Sequence, residues 1–359
     1  MSNSIRWGIM GAGFIAAEFT HDLHLAKGAT CHAVASRSGD RARDFAQRHR
    51  IPHSCATYES LVSRDDIDVV YVATPHTRHR DHCLMAIQAG KHVVCEKPFT
   101  INAAEAEEVA QAAREHKRFC MEAMWMRFMP LVQTLHTAVQ RGELGTICAF
   151  SAEFGVPHIV DPGNRLFCAE LGGGAWLDRG VYGVSLAHYL FGVPIATFGS
   201  AIIGETGVDE SCTATMQYEG GLGATITCSI RSWLANTASI AGTQGNAVLQ
   251  NPFYRPHRLT RTGTTPIVAP AAAERPGLKQ RLKDNRLLRG MKNRLEGLVG
   301  PLRNRGNSRL CTIAGKGYLY EIDEVVRCLR EGKLESEFMS LDESIAVMRT
   351  LDAVRARWT

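Results

Sequence analysis

Residues 5–16 read IRWGIMGAGFIA, and this stretch decides the architecture. Ile5–Met10 is a short apolar run that suits a buried strand, and Gly11-Ala12-Gly13-Phe14-Ile15-Ala16 follows at once. Gly11 permits a tight turn, Gly13 lets the backbone approach a pyrophosphate, and Ala16 permits close helix–strand packing. The next helix would turn its free N–H groups and positive dipole end toward phosphates. A bare G-x-G-x-x-A is weak evidence, but strand before and helix after supply its context. Gly11, Gly13, Phe14 and Ile15 are therefore candidate dinucleotide contacts.

Outward from this turn, strand and helix patterns alternate. Thr30–Ser36 reads as a strand and Gly39–Arg48 as a polar helix. Asp68–Thr74 (DVVYVAT) is a continuous apolar run of the kind that forms a buried parallel strand. Arg80–Ala89 is helical and stops at Gly90. His92–Cys95 is a strand, Asn102–His116 an Ala/Glu-rich helix and Arg118–Met124 a further strand. Such alternation predicts a doubly wound parallel sheet with crossover helices. After about Met124, Leu144–Phe154, Ala196–Gly204, Cys212–Tyr218 and Leu222–Ile230 read as longer strands joined by turns such as Glu219-Gly220-Gly221. They predict an α+β domain on a mostly antiparallel open-faced sheet, followed by helices at Tyr318–Arg330 and Leu341–Trp358. The expected division is residues 1–123 for cofactor binding and 124–359 for substrate binding and oligomerisation.

Composition narrows the class. The 359 residues are 45% hydrophobic and 21% charged, ordinary for a soluble globular protein. No apolar run approaches the ~18 residues of a membrane span, and Met1–Arg6 does not open as a signal peptide. Eleven scattered cysteines without a C-x-x-C pair favour free thiols and a cytoplasmic location over disulfides or zinc. The net charge of +5 arises from Arg275–Arg309, which alone carries +9. Basic character confined to one segment does not suggest nucleic-acid binding by the folded body. Leu287, Leu288, Met291, Leu295, Leu298 and Leu302 in that segment fall at helical spacing, as in a helix docked by its apolar face.

Three further features carry chemistry. An NAD site would place Asp or Glu at the end of the second strand, whereas this chain has Ser36-Arg37 with Arg41 one turn on. A hydroxyl and guanidinium groups suit a 2′-phosphate, which favours NADP over NAD. The strand His92–Cys95 runs into Glu96-Lys97-Pro98, at the sheet end that borders the ligand crevice. A Lys there is placed to take or give an alcohol proton beside a nicotinamide; Lys97–Pro98 is also a candidate cis peptide. Gly172-Gly173-Gly174 opens a helix carrying Asp178 and Tyr182, an i, i+4 pair able to bind and polarise a substrate hydroxyl. His76, His79 and His82 recur every third residue, but helical drift would separate them. No metal site is expected, and Thr74, Pro75 and the first two histidines are better placed for cofactor or substrate. Trp125 and Trp176 are candidate stacking residues.

Gly11-Ala-Gly13-x-x-Ala16, Glu96-Lys97-Pro98 and Gly172–Gly174 with Asp178 and Tyr182 together resemble the glucose–fructose oxidoreductase / inositol dehydrogenase / rhizopine catabolism (Gfo/Idh/MocA) family. Glu122-Ala-x-Trp125-x-Arg127-Phe128 and Tyr320-Glu-x-Asp-Glu-Val resemble its subgroup of dimeric dihydrodiol dehydrogenases and NADP-dependent D-xylose dehydrogenases. The resemblance implies a Rossmann domain, Lys97 at the nicotinamide, Tyr182 as proton donor or acceptor, and Asp178 orienting the pair or touching substrate. It implies His79, Glu96 and Arg165 near the cofactor, a carbohydrate or diol substrate, and a homodimer or homotetramer. Trp125 and Arg127 join Asp178 and Tyr182 as candidate substrate contacts. Arg179 departs from the usual Ile or Val; it is expected to lie off the Asp178/Tyr182 face and to affect packing or the cleft wall. Two other readings remain: a nicotinamide-dependent glycosidase with redox-neutral turnover, and a non-enzymatic NADP-binding regulator.

Overall fold

A computed structural model describes residues 4–263 and 308–358. Most of the basic segment, including its apolar stripe from Leu287 to Leu302, lies outside the described residues.

The N-terminal half alternates as expected: β1 (Ile5–Met10), α1 (Phe14–Leu23), β2 (Ala29–Ala35), α2 (Gly39–His49), β3 (His53–Cys55), α3 (Tyr58–Val62) and β4 (Val69–Val72). It continues through α4 (His79–Gln88), β5 (His92–Glu96), α5 (Ala103–Glu115) and β6 (Cys120–Ala123). The six strands order β3-β2-β1-β4-β5-β6 and every pair is parallel. β4 is buried along its whole length, which explains its unbroken apolar run. The order reverses between β1 and β4, so a crevice opens at their carboxyl ends. Ser38, Thr57 and Asn102 cap α2, α3 and α5 with their side chains. β3 and α3 escaped the sequence reading because each is too short to display a period.

The second half adds α6 (Pro130–Gln140), β7 (Ile147–Gly155), α7 (Val181–Phe191), β8 (Ala196–Ile203), β9 (Asp209–Gln217) and β10 (Gly223–Ser229). After these come β11 (Ala238–Gly242), β12 (Gly245–Leu249), β13 (Arg258–Thr262), β14 (Ser308–Leu310), α8 (Leu319–Arg330) and α9 (Leu341–Arg355). The eight-stranded sheet orders β14-β13-β12-β11-β7-β10-β9-β8; among its pairs, β7–β10 alone is parallel. α7, buried on nearly every side, lies under this sheet, and α9 packs against α7 and β8 as well as against α5. β9 alternates buried and exposed positions, the mark of a sheet with one covered face. The strands from β11 onward and α6 were absent from the sequence expectation. The strands have few apolar positions, and long-range pairing rather than local periodicity places them; α6 does carry a helical stripe, Leu131, Val132, Leu135 and Ala138, which forms its buried face.

The C-terminal chain returns to the parallel domain. Asp22, at the end of α1 and fully buried, accepts backbone N–H bonds from Lys316, Gly317, Tyr318 and Leu319 at 2.8–3.2 Å. One carboxylate thus satisfies the free donors at the start of α8, about 295 residues further along the chain.

Candidate active site

The crevice predicted by strand order is a cavity of about 520 Å³. One end is lined by the glycine turn from Gly11 to Ile15 and by Ser36, Arg37, Arg41 and Tyr58; the other reaches Lys97, Asp178 and Tyr182. Gly11 sits at φ +112°, and a Cβ there would lie 2.4 Å from the Ala73 carbonyl oxygen, so the turn requires glycine. At Gly13 a Cβ would meet nothing within 4 Å, and α1 begins with no side-chain cap. The open face beside Gly13 and the uncapped N–H groups together form a cradle for a pyrophosphate, so these residues fit a dinucleotide. Arg37 and Arg41 are exposed beside the second strand end, with no acidic residue among the cavity-lining side chains there.

At the Lys97 end, Glu96 closes β5. Its carboxylate takes the Tyr71 hydroxyl and the Lys97 backbone N–H, and burial pushes its pKa up. The Lys97–Pro98 bond is cis. Lys97 Nζ donates to the Asp178 carbonyl at 2.8 Å and to Asp178 Oδ1 at 3.3 Å, and lies 4.8 Å from the Tyr182 ring centroid. Burial alone would raise the Asp178 carboxyl; Lys97 and Arg165 beside it outweigh that and hold it well below the usual carboxylate range. The Tyr182 hydroxyl accepts the Trp125 indole N–H at 3.0 Å. Burial, with Tyr318 and Glu96 nearby, holds the Tyr182 phenol neutral far above its ordinary range. One oxygen lone pair is therefore occupied, and the O–H is left to point at a ligand.

Asp178 belongs to a widened π-turn, Trp176–Gly180, that leads into α7, rather than to the regular helix expected. Both Asp178 and Tyr182 still line the cavity. Asp209, from β9, accepts the Trp176 N–H at 2.6 Å and fixes the start of this turn.

The sequence-nominated residues Gly11, Gly13, Phe14, Ile15, Ser36, Arg37, Arg41, Thr74, Pro75, His79, Glu96, Lys97, Arg165, Asp178 and Tyr182 all line this one cavity. Two do not. Trp125 is buried behind Tyr182 and reaches the site only through its N–H. Arg127 corrects the sequence expectation: 1% exposed, it donates to Ser185 Oγ and O at 2.8 Å and to Glu343 at 3.0 Å. A guanidinium with those partners ties α7 to α9 and offers nothing to a substrate. His79 also has a framework role, with its ring nitrogens 2.9 Å from the Thr74 and Pro98 carbonyls, joining the ends of β4 and β5. Trp176 is fully buried and donates to Leu351 O at 3.1 Å, so it is core.

Arg179 is 4% exposed and donates to the Val156 and Ser229 carbonyls and toward His158, binding the π-turn to the ends of β7 and β10. His76, His79 and His82 do not converge: their partners are Gly172 and Arg165, two carbonyls, and Thr74 respectively. His32, His53 and Asp66 gather their ligand-type atoms within 4.8 Å elsewhere, but Arg64 already pairs with both Asp66 oxygens. Tyr58 and Tyr318 line the cavity without having been foreseen. Tyr318 stacks on Trp125 at 5.0 Å. The Gly315-x-Gly317 turn before it was the one local signal, since its anchor, Asp22, lies 296 residues away.

A parallel sheet with a dinucleotide cradle, joined to an antiparallel sheet that brings a tyrosine to a strand-end lysine, defines an NAD(P)-binding oxidoreductase. Sequence comparison agrees. Residues 5–124 match the model of an oxidoreductase family with an NAD-binding Rossmann fold, and residues 132–248 match the GFO/IDH/MocA C-terminal domain. Trans-1,2-dihydrobenzene-1,2-diol dehydrogenase of Bos taurus is 34% identical over 98% of this chain and 96% of its own. The Homo sapiens protein of that name is 35% identical with the same coverage. In fold the chain is similar to a 3-ketoreductase from Actinomadura kijaniata in complex with NADP and TDP-benzene (TM-score 0.81, 24% identity, 99% and 98% of the two chains). It is also similar to an aldose-aldose oxidoreductase from Caulobacter crescentus complexed with glycerol (TM-score 0.78, 20% identity, 99% and 97%). The chain belongs to the Gfo/Idh/MocA family of oxidoreductases.

Proposed function

We propose that this protein is an NADP-dependent dehydrogenase of a cyclic vicinal diol or a pyranose sugar. The observation that carries this reading is the convergence of Lys97, Asp178 and Tyr182 at the end of a dinucleotide crevice. Bound in that crevice, nicotinamide supplies the hydride acceptor or donor. The protein's own groups handle the hydroxyl. Lys97 has three N–H donors; Asp178 takes two, and the third is free for the substrate oxygen. That contact stabilises negative charge as it develops on the oxygen. Tyr182, held neutral, donates its proton to that oxygen in the reductive direction.

Ser36, Arg37 and Arg41 support NADP over NAD, since no carboxylate stands ready for a ribose 2′-hydroxyl. The relatives' name, a dihydrobenzene-diol dehydrogenase, supports a cyclic diol substrate and favours neither the glycosidase nor the regulator reading. The cysteines, all free, support a reducing, cytoplasmic location. No helix among the described residues is long and apolar enough to cross a membrane. The exposed positions along β9 support a homo-oligomer.

The test is the initial rate of NADP⁺ reduction, followed by absorbance, across aldopentoses, aldohexoses, inositols and trans-dihydrodiols, with NAD⁺ in parallel. A rate with one cyclic diol or sugar class, higher with NADP⁺, is expected. No rate from protein that binds NADP would overturn the reading.

A further inference from the structure

The cavity contains a chain of contacts that the hydroxyl chemistry above does not use. His76 is 4% exposed, at the first turn after β4. Its Nδ1 lies 2.9 Å from the Gly172 carbonyl and its Nε2 lies 3.1 Å from Arg165 Nη1. Arg165 Nη2 in turn donates to Asp178 Oδ1 at 3.0 Å, the oxygen that also takes Lys97 at 3.3 Å. A carbonyl only accepts and a guanidinium only donates, so the ring must carry its proton on Nδ1 and present a bare Nε2. One neutral tautomer meets both demands, and an imidazolium would turn an N–H against Arg165. Burial, with Arg165, His79 and Lys97 around the ring, holds His76 well below its ordinary range, and Asp178 only partly offsets this.

The glycine run makes the contact sterically possible. Gly172 sits at φ +73°, and a Cβ there would lie 2.9 Å from His76 Cβ. The same backbone accepts the imidazole proton. The first glycine of the run thus fixes the histidine, and the turn that follows it carries Asp178.

We propose that His76 is a positioning residue: as the neutral Nδ1–H tautomer it aims Arg165 at Asp178, so that Arg165 and Lys97 share one carboxylate. Sharing matters for turnover because Asp178 sets where the Lys97 ammonium stands. With Arg165 misaimed, Asp178 is free to rotate toward Lys97, and the third N–H of Lys97 loses its direction toward the substrate oxygen. The inference rests on the proposed roles of Lys97 and Asp178.

Three measurements test it. Selective ¹⁵N-histidine NMR of the wild-type protein without ligand should show His76 protonated on Nδ1 and bare on Nε2 from about pH 6 to 8. This readout needs no substrate, so it separates failure of this inference from failure of the proposed activity. Kinetically, His76→Asn keeps a donor near Gly172 but is too short to bring its amide oxygen to Arg165; kcat should fall roughly tenfold or more with KM for NADP⁺ little changed. His76→Gln, which can still present an acceptor, should recover part of the loss. Adding His76→Asn to Arg165→Gln should cause no further loss, because both changes break the same contact. An Nε2–H tautomer or an imidazolium, or kinetic losses that multiply in the double variant, would overturn the inference.

Discussion

Arg37→Gln tests the cofactor assignment most directly. Arg37 and Arg41 are exposed at the end of the cavity opposite Lys97, next to Tyr58. A contact from a guanidinium to phosphate contributes about 1.5–3 kcal/mol. Exposure argues for the lower part of that range, because a unit-charge pair at 4 Å is worth about 1 kcal/mol in water and about 4 kcal/mol near a protein surface. Taking about 2 kcal/mol, the KM for NADP⁺ should rise about thirtyfold in the single variant. Arg37→Gln with Arg41→Gln should approach a thousandfold, less whatever the two charges share. NAD⁺ lacks the 2′-phosphate, so its KM should stay within about a factor of two. The assay is initial rate against each dinucleotide at saturating substrate, repeated at low and high salt. The wild-type preference for NADP⁺ should weaken with salt, and the variants should have lost that sensitivity. Equal weakening toward both dinucleotides, or no change toward NADP⁺, would refute the argument.

Other outcomes follow from the same geometry. Lys97→Met should abolish turnover while leaving the Kd for NADP, measured by nicotinamide fluorescence quenching, within a few-fold; loss of both would contradict its role. Gly13→Val should fold with a normal Tm, since its Cβ has open space, yet lose dinucleotide binding because the side chain fills the cradle; tight NADP binding by this variant would remove the glycine turn from the site. Glu122, fully buried with one oxygen on the Phe99 N–H and the other unpartnered, is raised by burial to about 7. Its folded pKa exceeds the unfolded value, so it contributes stability at low pH that is lost as pH rises from about 4.5 to 7. The full swing is about 3 kcal/mol. Urea unfolding at pH 5 and pH 8.5 should show wild type losing more stability with pH than Glu122→Gln, by about 2.5 kcal/mol since part of the swing is already lost by pH 5; equal losses would mean that Glu122 does not titrate in this range.

How much of this was legible in the chain depends on how far apart the cooperating residues lie. The glycine turn, the buried DVVYVAT strand and Glu96-Lys97-Pro98 each state their role within about a dozen residues. Local sterics and the burial period of a parallel strand act at that range. The alternation of strand and helix then fixed the sheet type, and the sheet type fixed which strand ends border a crevice. So the fold class, the cradle and the place of Lys97 could be read without coordinates.

What needed the tertiary structure was the partner of each charged side chain. Arg127 and Arg165 look alike in sequence. One is buried between α7 and α9 with Glu343, 216 residues on, while the other lies at the cavity against His76, 89 residues back. Asp22 resembles any acidic residue near a helix end until the turn at Lys316 folds onto it. The physical reason is the cost of burying charge. A guanidinium or carboxylate removed from water must find a counter-charge or a set of hydrogen bonds, and only the packing of distant elements decides which is supplied. Local sequence therefore determined the scaffold and the place of Lys97 at a strand end bordering the cavity. Long-range burial decided which polar residues face the cavity and which tie distant elements together.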